Sequence, residues 1–469
     1  MVSFSSLDYF VIVLFLLAII VIGIYSAGES RKSASSFLLY DRKVGIFLFV
    51  LTNVATWYGG ILGIGEFVYS YGILSWVTQG IPYYIFAVVF AFFLVPRIRR
   101  INNFTIPEQI KKVYGKNASL ITAGLILLLV SPAAYILMIA NIIDLIFNFG
   151  FFASLILSAL ISSIYLFWGG FKSDLFTDAF EFFVMFLGFG IIVYVAFSNY
   201  GGIEFLSKNL PATHLSIKGN ATISYIVVWF LIALWTFTDP GFYQRVNSSK
   251  NYSVAKYGII ISVGFWFLFD FLTTSTGLYS KAIMPNLKNP VLSFPLLAEK
   301  ILQPGLKGIF FAGLLATILS TLNSNFFISA TTFGKDIFST VKNNFNDEAI
   351  ILYTRIGLII TSLISIVLAF YFQSVIAIWY TVGSLCIPSL LFPVLSSYIK
   401  KFEVPVKIIY LELVLGFGTS LVWFILKENR LLTDKFTVIE PMIIGITINL
   451  ILHLYGILSR SGKNPDRKF

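Results

Sequence analysis

The stretch Asn-Val-Ala-Thr-Trp-Tyr-Gly-Gly, residues 53–60, lies inside a long apolar segment of this chain. A second stretch, Thr-Phe-Thr-Asp-Pro-Gly at residues 236–241, lies inside another apolar segment. Paired glycines weaken a helix, and Pro240 lacks a backbone N–H and clashes with the preceding helical turn. Broken backbone at membrane depth is tolerated only where it lines a cavity or is buried in protein. Both stretches therefore predict interrupted membrane helices around an internal cavity.

The composition of the whole chain is that of a membrane protein. Of its 469 residues, 58% are hydrophobic and only 12% are charged, whereas a soluble domain has about 25% charged residues. A membrane-spanning helix needs about 20 apolar residues. Thirteen segments are candidates: residues 7–27, 44–69, 74–95, 118–147, 151–168, 175–197, 223–243, 257–283, 308–333, 350–372, 375–399, 406–426 and 438–458. We therefore predict one all-α polytopic transmembrane domain over residues 1–469, embedded in membrane lipid.

The lysine and arginine residues indicate the orientation of these spans. Loops on one side, beginning with the loop after the first span, carry 23 of the 33 basic residues, and the opposite loops carry nine. Because basic loops face the cytoplasm, we expect an external N-terminus and a cytoplasmic C-terminus in the plasma (cell) membrane. The net charge of +11 is therefore a topology signal and does not predict binding to nucleic acid.

The ten spans between the first and the last two divide into two groups of five. The first group covers residues 44–197 and the second covers 223–399, with one extra helix before them and two helices at 406–458 after them. Each group begins with one of the interrupted helices, and an odd number of spans per group requires an inverted repeat. Interrupted helices at matching positions of two halves indicate a transporter binding site. The alternative is that glycine and proline are simply frequent in membrane helices.

Residue types needed for other chemistries are scarce. One cysteine, Cys386, and two histidines make a disulfide or a cysteine- or histidine-based metal site implausible, and no nucleophile-elbow or phosphate-loop motif occurs. We therefore expect a transporter, with no catalytic residues, no enzymatic activity and no cofactor. A channel would usually combine symmetric subunits or repeats around a filter. A transporter-like membrane sensor remains an alternative.

Several motifs, in order along the chain, resemble the sodium:solute symporter family. They are Ala-Thr-Trp-Tyr-Gly-Gly at 55–60, Gly-Ile-Gly-Glu-Phe-Val-Tyr-Ser-Tyr-Gly at 63–72, Gly-Gly-Phe-Lys-Ser-Asp-Leu-Phe-Thr-Asp at 169–178, Thr-Asp-Pro-Gly-Phe-Tyr-Gln-Arg at 238–245 and Ala-Gly-Leu-Leu-Ala-Thr-Ile-Leu-Ser-Thr-Leu-Asn-Ser at 312–324. The resemblance extends from residue 7 to about residue 400. It implies the leucine-transporter-type 5+5 inverted-repeat fold. It also implies sodium-coupled symport of a small organic solute by alternating access, with a proton as the alternative coupling ion.

The resemblance also implies the sodium ligands. The eighth core helix would supply oxygens from Thr317, Ser320 and Thr321, and the broken first helix would supply carbonyls near Asn53 and Thr56. Sodium is a hard cation, and hard cations bind oxygen ligands. Residues one helical turn apart share a face, so Thr317, Ser320 and Thr321 can lie on the same face of the eighth core helix. The alternative is that these hydroxyls bond only their own helix or a neighbouring helix.

Asp178 matches an acidic family residue near the sodium exit route. A carboxylate at membrane depth is a functional hypothesis, although Asp178 would also suit the cytoplasmic start of a helix, where the helix dipole favours it. We assign Glu181 to that second category.

The candidate substrate contacts lie beside the two interruptions and on two further helices: Trp57, Tyr58, Gln79, Thr236, Thr238, Asp239 and Tyr380. The first interruption lacks the carboxylate of proline-transporting relatives. Asp270 stands in mid-span where sugar-transporting relatives can have a basic residue. Proline and sugars are thereby disfavoured, and Asp270 suggests either a cationic group on the solute or a proton site. The sequence does not name the solute.

The predicted orientation is testable by labelling single cysteines in intact cells. A cysteine in the loop at 198–222 should react with an impermeant maleimide, and one in the loop at 97–116 should react only after permeabilisation, in a background without Cys386. The opposite labelling pattern would overturn the predicted orientation.

Overall fold

In a computed structural model, the protein is described over residues 2–28, 32–101, 103–343, 345–371, 375–432, 436 and 439–461. The described residues form helices joined by short connections, and the one β-type pairing among them joins Val44 to Ser249. Eleven helical segments in this part of the chain are long and apolar enough to cross a membrane. The all-α polytopic fold is confirmed.

The α-helices are numbered in chain order as follows: α1 Ser6–Ala27, α2 Ala34–Leu39, α3 Ile46–Ala55, α4 Ile61–Tyr71, α5 Leu74–Gln79, α6 Ile81–Phe93, α7 Val95–Ile101, α8 Ile106–Tyr114, α9 Lys116–Leu129, α10 Ala133–Phe147, α11 Phe151–Tyr200, α12 Ile203–Asn209, α13 Ile223–Ile232, α14 Pro240–Ser248, α15 Tyr252–Ile283, α16 Ser293–Ile301, α17 Leu306–Thr331, α18 Thr340–Lys342, α19 Asp347–Tyr371, α20 Val375–Tyr398, α21 Val406–Glu428 and α22 Pro441–Ser461. Short 3₁₀ turns lie at Tyr40–Arg42, Ala212–Leu215, Ala233–Phe237, Pro290–Leu292 and Lys400–Phe402, and a π-helical segment, Thr332–Ser339, links α17 to α18.

Two features account for the difference between the thirteen predicted spans and the eleven long apolar segments. The predicted spans 151–168 and 175–197 are joined in the single 50-residue helix α11. The predicted span 44–69 is divided into α3 and α4, of which α3 is a shorter apolar helix. The ends of two predicted spans, at residues 372 and 438, lie outside the described residues.

Gly170 explains how α11 joins two spans without a loop. Its backbone has φ 57° and ψ −146°, which is non-helical, and this kinks the helix. A Cβ atom at this position would lie 2.5 Å from the carbonyl oxygen of Phe37. A positive φ and such close backbone contact both require glycine. The predicted spans 151–168 and 175–197 imply a loop at residues 169–174, but the turn is made by Gly170 alone.

Both predicted interruptions are present. Helix α3 ends at Ala55 and α4 begins at Ile61, with irregular backbone between them. Helix α13 ends at Ile232, the 3₁₀ turn follows, and α14 begins at Pro240. Asp239 caps α14 because its Oδ1 accepts a hydrogen bond from the Gly241 N–H at 2.7 Å. The side-chain cap satisfies one of the donors that a helix start leaves unpaired.

Helix α17 lies at the centre of the molecule. About nine-tenths of its most apolar stretch is buried, and its most extensive contacts are with α11. The two helices approach closely at Gly188 and Gly313, where a Cβ on Gly188 would lie 3.3 Å from the Gly313 Cα. Small residues allow such close approach between membrane helices, where van der Waals contact and hydrogen bonds drive association.

The outer helices are attached to this centre by polar side chains. Asp8 of α1 accepts backbone hydrogen bonds from Gly305 and Gly308, at the start of α17, both at 2.8 Å. At the other end of the chain, Asn449 of α22 donates to the carbonyls of Pro388 and Glu412. These bonds fix the additional N-terminal helix and the C-terminal helices against the core.

The close contact at Gly188 predicts that a larger side chain at this position lowers the stability of the protein. Gly188→Val should lower the apparent melting temperature of the purified protein clearly, because overpacking a filled interface costs about 1–3 kcal/mol. Gly190→Val is the matched control, since a Cβ there meets nothing within 4 Å. Thermal unfolding in detergent measures both variants. Equal melting temperatures would show that the α11–α17 contact is not tightly packed.

Candidate transport site

A cavity of about 730 Å³ lies between the two interrupted helices. Its wall includes Asn53, Thr56, Trp57 and Tyr58 from the first interruption and Asp239, Gly241, Phe242 and Arg245 from the second. It extends along α4 and α13 as far as Tyr71 and Thr222. Volumes of about 300–1,000 Å³ are typical of small-molecule sites.

The predicted sodium ligands meet where α17 crosses the first interruption. The hydroxyl of Thr321 donates to the carbonyl of Thr56 at 3.0 Å and lies 3.3 Å from the carbonyl of Thr317. Gly59 permits this contact, because a Cβ there would lie 2.4 Å from the Thr321 Cβ. Asn53 is 3% exposed, lines the cavity, and its Nδ2 has no hydrogen-bond partner among the described residues. Three oxygens therefore meet at this crossing, and the free amide of Asn53 lines the same cavity.

Ser320, the remaining predicted ligand, points to a different neighbour. Its hydroxyl donates to Asp178 Oδ1 at 2.8 Å, and both side chains are fully buried. The Thr317 hydroxyl donates to the carbonyl of Leu314 on its own helix, so its carbonyl and not its hydroxyl faces Thr321. The structure thus brings Asp178 next to the predicted sodium ligands.

Asp178 belongs to a buried ionic network. Arg245 Nη2 lies 3.4 Å from Asp178 Oδ2 and donates to Ser324 Oγ at 2.9 Å. Ser324 in turn donates to Asp174 Oδ2 at 2.8 Å. Glu181 is fully buried, and neither of its carboxylate oxygens has a hydrogen-bond partner among the described residues. Asp178 and Glu181 lie eight and eleven residues after the turn at Gly170, beyond the first turn of the second segment of α11.

Sequence reasoning missed most of this network. It treated Arg245 only as a charge that indicates orientation and assigned Glu181 to a helix start. The signal was present: Asp174, Asp178 and Glu181 are spaced by four and three residues, which places them on one helix face.

Five of the seven predicted substrate contacts line the cavity: Trp57, Tyr58, Gln79, Asp239 and Tyr380. Trp57 stacks on Trp266 with ring centroids 4.7 Å apart, and the Nε2 of Gln79 is buried without a partner in the described part of the chain. Thr236 and Thr238 are fully buried and are not among the residues of the cavity wall. The Thr238 hydroxyl donates to the carbonyl of Trp235, within the 3₁₀ turn. The turn points these two threonines into protein.

Asp270 also lines the cavity. Its Oδ2 accepts a hydrogen bond from the Tyr84 hydroxyl, which accepts one from the Trp76 indole at 3.1 Å. A Cβ on Gly80 would lie 2.9 Å from the same oxygen. The break between α5 and α6 at Gly80 therefore makes room for the carboxylate, and this break was not predicted.

The cavity ends at Arg245, and polar contacts close the protein beyond it. The guanidinium groups of Arg42 and Arg99 both donate to the carbonyl of Asn247, at 3.0 Å. Lys335 pairs with Glu108 at 2.6 Å. Burial opposes ionisation of Glu108, but the Lys335 ammonium and a backbone N–H outweigh it and lower the pKa of that carboxyl below its ordinary value. These contacts hold the protein closed beyond Arg245.

Comparison with known proteins identifies the family. The model of the sodium:solute symporter family matches residues 37–405. The chain belongs to the sodium:solute symporter family. It is a multi-pass membrane protein whose function is sodium-coupled symport by alternating access, and the family and its relatives are transporters.

Two curated relatives illustrate the range of this family. The chain is 24% identical over 417 residues to the high-affinity choline transporter 1 of Caenorhabditis elegans, covering 81% of this chain and 72% of that protein. It is 24% identical over 387 residues to the sodium/proline symporter of Staphylococcus aureus, covering 77% and 75%.

Solved structures support the fold. A Na⁺-coupled sialic acid symporter, in a substrate-bound outward-open state, superposes with a TM-score of 0.79 at 16% identity, over 97% of this chain and 98% of that one. A nucleobase-cation-symport-1 family transporter in a closed conformation gives 0.60 at 14% identity, over 92% and 96%. The fold is the leucine-transporter type.

The buried ion pair between Arg245 and Asp178 predicts a large stability effect. Arg245→Met should lower the melting temperature strongly, because leaving a buried charge unpaired costs about 3–5 kcal/mol. Adding Asp178→Asn should restore part of the loss. Arg460→Met is the control, since its pair with Glu403 is exposed and such pairs contribute about 0–1 kcal/mol. Similar melting temperatures for Arg245→Met and Arg460→Met would contradict the predicted importance of the buried pair.

Proposed function

We propose that the protein takes up a small organic solute from outside the cell together with sodium, which binds at the crossing of α17 and the first interruption. The solute binds in the adjacent cavity. The main support for this proposal is the crossing itself. There the Thr321 hydroxyl meets the carbonyls of Thr56 and Thr317.

The proposed sodium ligands are Asn53, Thr56, Thr317, Ser320 and Thr321. Backbone carbonyls and hydroxyls are the hard oxygen ligands that a hard cation prefers. The hydrogen bond from Thr321 to Thr56 would be replaced by bonds from both oxygens to the ion. The ion would thereby connect α17 to the broken helix more firmly than a single hydrogen bond does. Sodium binding and the position of the broken helix are coupled in this scheme.

We propose that sodium next contacts Asp178 as it moves from its site toward the closed side of the protein. Its contact with Ser320 at 2.8 Å links it to the ligand set, and its contact with Arg245 links it to α14, which also lines the solute cavity. An arriving cation would compete with the Arg245 guanidinium for the Asp178 carboxylate. By displacing Arg245 from Asp178, the ion would weaken the attachment of α14, which closes the floor of the cavity.

The proposed solute contacts are Trp57, Tyr58, Gln79, Asp239 and Tyr380 at the cavity wall, with Thr236 and Thr238 supporting the 3₁₀ turn behind it. Aromatic walls with a few polar groups are typical of small-molecule sites. The two relatives, a choline transporter and a sodium/proline symporter, support a small nitrogen-containing organic molecule as the solute.

The proposed domain organisation and orientation give the transport direction. Residues 44–197 and 223–399 form the two inverted repeats, 7–27 the additional N-terminal helix and 406–458 the two C-terminal helices. With the N-terminus outside and the C-terminus in the cytoplasm, the cavity opens outward past Tyr71 and Thr222, and the contacts of Arg42, Arg99 and Glu108 close the cytoplasmic side. Rocking of one group of helices against the other would then expose the site inward.

The membrane potential supplies a driving force of suitable size. One elementary charge crossing 100 mV contributes about 2.3 kcal/mol. A buried unsatisfied donor or acceptor costs about 1–3 kcal/mol, so the energy supplied by one sodium ion is comparable to the cost of breaking one such closing contact.

The sodium site is tested by removing its hydroxyls one at a time. Thr321→Ala and Ser320→Ala should each raise the half-saturating sodium concentration for uptake about tenfold, because a ligand interaction worth about 1.4 kcal/mol corresponds to a factor of ten. Thr331→Ala is the matched control, since its buried hydroxyl on the same helix has no partner among the described residues. Uptake in proteoliposomes at a series of sodium concentrations measures this.

Two results would contradict the sodium site. One is solute uptake by the unmutated protein that needs a proton gradient and ignores sodium. The other is an identical sodium dependence in all three variants and the unmutated protein.

A further inference from the structure

Acidic side chains outnumber basic ones on the cavity wall. The wall contains Glu66, Asp239, Asp270 and Glu440, but Arg245 is the one basic side chain that it includes in the described part of the chain. The Glu440 carboxylate pairs with Lys427 at 2.9 Å, and Arg245 pairs with Asp178. The three remaining carboxylates form no salt bridge among the described residues. The wall therefore has three acidic side chains that lack a basic partner in the described part of the chain.

Asp270 is held in place by neutral groups. Its partner Tyr84 is a neutral hydroxyl donor, supported by the Trp76 indole. Gly80 leaves space beside the carboxylate, because a Cβ there would lie 2.9 Å from Asp270 Oδ2. A carboxylate that is oriented by neutral donors at the edge of a cavity is suited to bind a charge that comes from the ligand.

Aromatic rings form the neighbouring wall. Trp57 lines the cavity, and behind it lies Trp266, a fully buried residue one helical turn before Asp270 on α15 that stacks against the Trp57 ring. Trp57 also meets Tyr83 and Phe242 edge-on, with ring centroids 5.1 and 5.6 Å apart. Rings positioned around a cation attract it through their negative faces, as in the aromatic sites that bind quaternary ammonium groups.

Other solute classes fit this wall less well. An anionic solute would need a free basic group, whereas Arg245 is already paired with Asp178 and Ser324. An uncharged solute would leave the Asp270 carboxylate without a counter-charge in the cavity. The charge and the rings together favour a positively charged group.

We infer that the transported solute is a small organic cation, a quaternary or protonated ammonium whose charge lies between the Asp270 carboxylate and the aromatic wall around Trp57. The inference rests on the proposed function and names the chemical class of its solute. Asp239, at the start of α14, is a second source of negative charge within the same cavity.

Matched charged and uncharged probes test the inference. The charged probes are trimethylalkylammonium ions with methyl to butyl chains, and the controls are their carbon isosteres, with tert-butyl in place of trimethylammonio. Binding to the purified protein in sodium is followed by tryptophan fluorescence, since Trp57, Trp229 and Trp235 line the cavity. We expect saturable binding of at least one ammonium probe and at least tenfold weaker binding of its isostere.

Variants then test whether the Asp270 carboxylate binds the positive charge of the probe. Asp270→Asn keeps an acceptor for Tyr84 and should weaken ammonium binding at least tenfold, while sodium binding, measured with radiolabelled sodium, is unchanged. Asp270→Glu should retain the preference for the charged probe. Glu403→Gln is the control, because the Glu403 carboxylate is not part of the cavity wall and is paired with Arg460, and this variant should bind the ammonium probe as the unmutated protein does.

The inference is overturned if uncharged or zwitterionic probes bind as tightly as the ammonium ions, or if Asp270→Asn leaves ammonium affinity unchanged. It is also overturned if Asp270→Asn abolishes the response of transport to a pH gradient and leaves ammonium binding intact, which would make Asp270 a proton site. Sodium binding separates these failures from a failure of the proposed function. Intact sodium binding leaves symport standing, and absent sodium binding removes it.

Discussion

The contact between α17 and the broken backbone after α3 is the constraint on which the rest of the site depends. Broken backbone cannot face lipid, because each unsatisfied group would cost several kcal/mol. The hydroxyl of Thr321 satisfies the carbonyl of Thr56, and Gly59 allows the two segments to approach. The oxygens of this hydrogen bond are also those of the proposed ion site. In the proposed scheme, the atoms that satisfy the broken helix would therefore also bind sodium.

The buried charges next to this contact connect it to the solute cavity. Asp178 contacts Ser320, a proposed sodium ligand, and Arg245, a residue of the cavity wall. Burying charges is expensive unless they are paired, so the arrangement persists only while each partner stays in place. In the proposed scheme, a change at the ion site would alter the pairing of Arg245. Sodium and solute would be coupled through this pair of helices, α11 and α14.

The sequence determined some parts of this description better than others. The apolar runs and the paired glycines predicted the membrane helices and both interruptions, because these depend on local backbone chemistry. The turn at Gly170 was not predicted, since it depends on the close approach of Phe37, which is distant in sequence. The break at Gly80 escaped notice for a similar reason, as it accommodates Asp270 from another helix.

The same distinction applies to the site. Thr317, Ser320, Thr321 and Asp178 were selected through their resemblance to a family pattern, and they lie together. Thr236 and Thr238 were selected for their nearness in sequence to Pro240, and the 3₁₀ turn directs them away from the cavity. The role of Arg245 required the tertiary structure, because nothing in its local sequence indicates that it meets Asp178.

The most direct test of the account is equilibrium binding of radiolabelled sodium to the purified protein and to Gly59→Ala. The added methyl group would overlap Thr321, whose Cβ would be 2.4 Å away, and would separate the two segments that form the proposed ion site. Gly124→Ala is the matched control, because a Cβ there meets nothing within 4 Å. The account predicts saturable sodium binding by the unmutated protein and the control, and at least tenfold weaker binding by Gly59→Ala. Equal sodium affinity in all three proteins would contradict it.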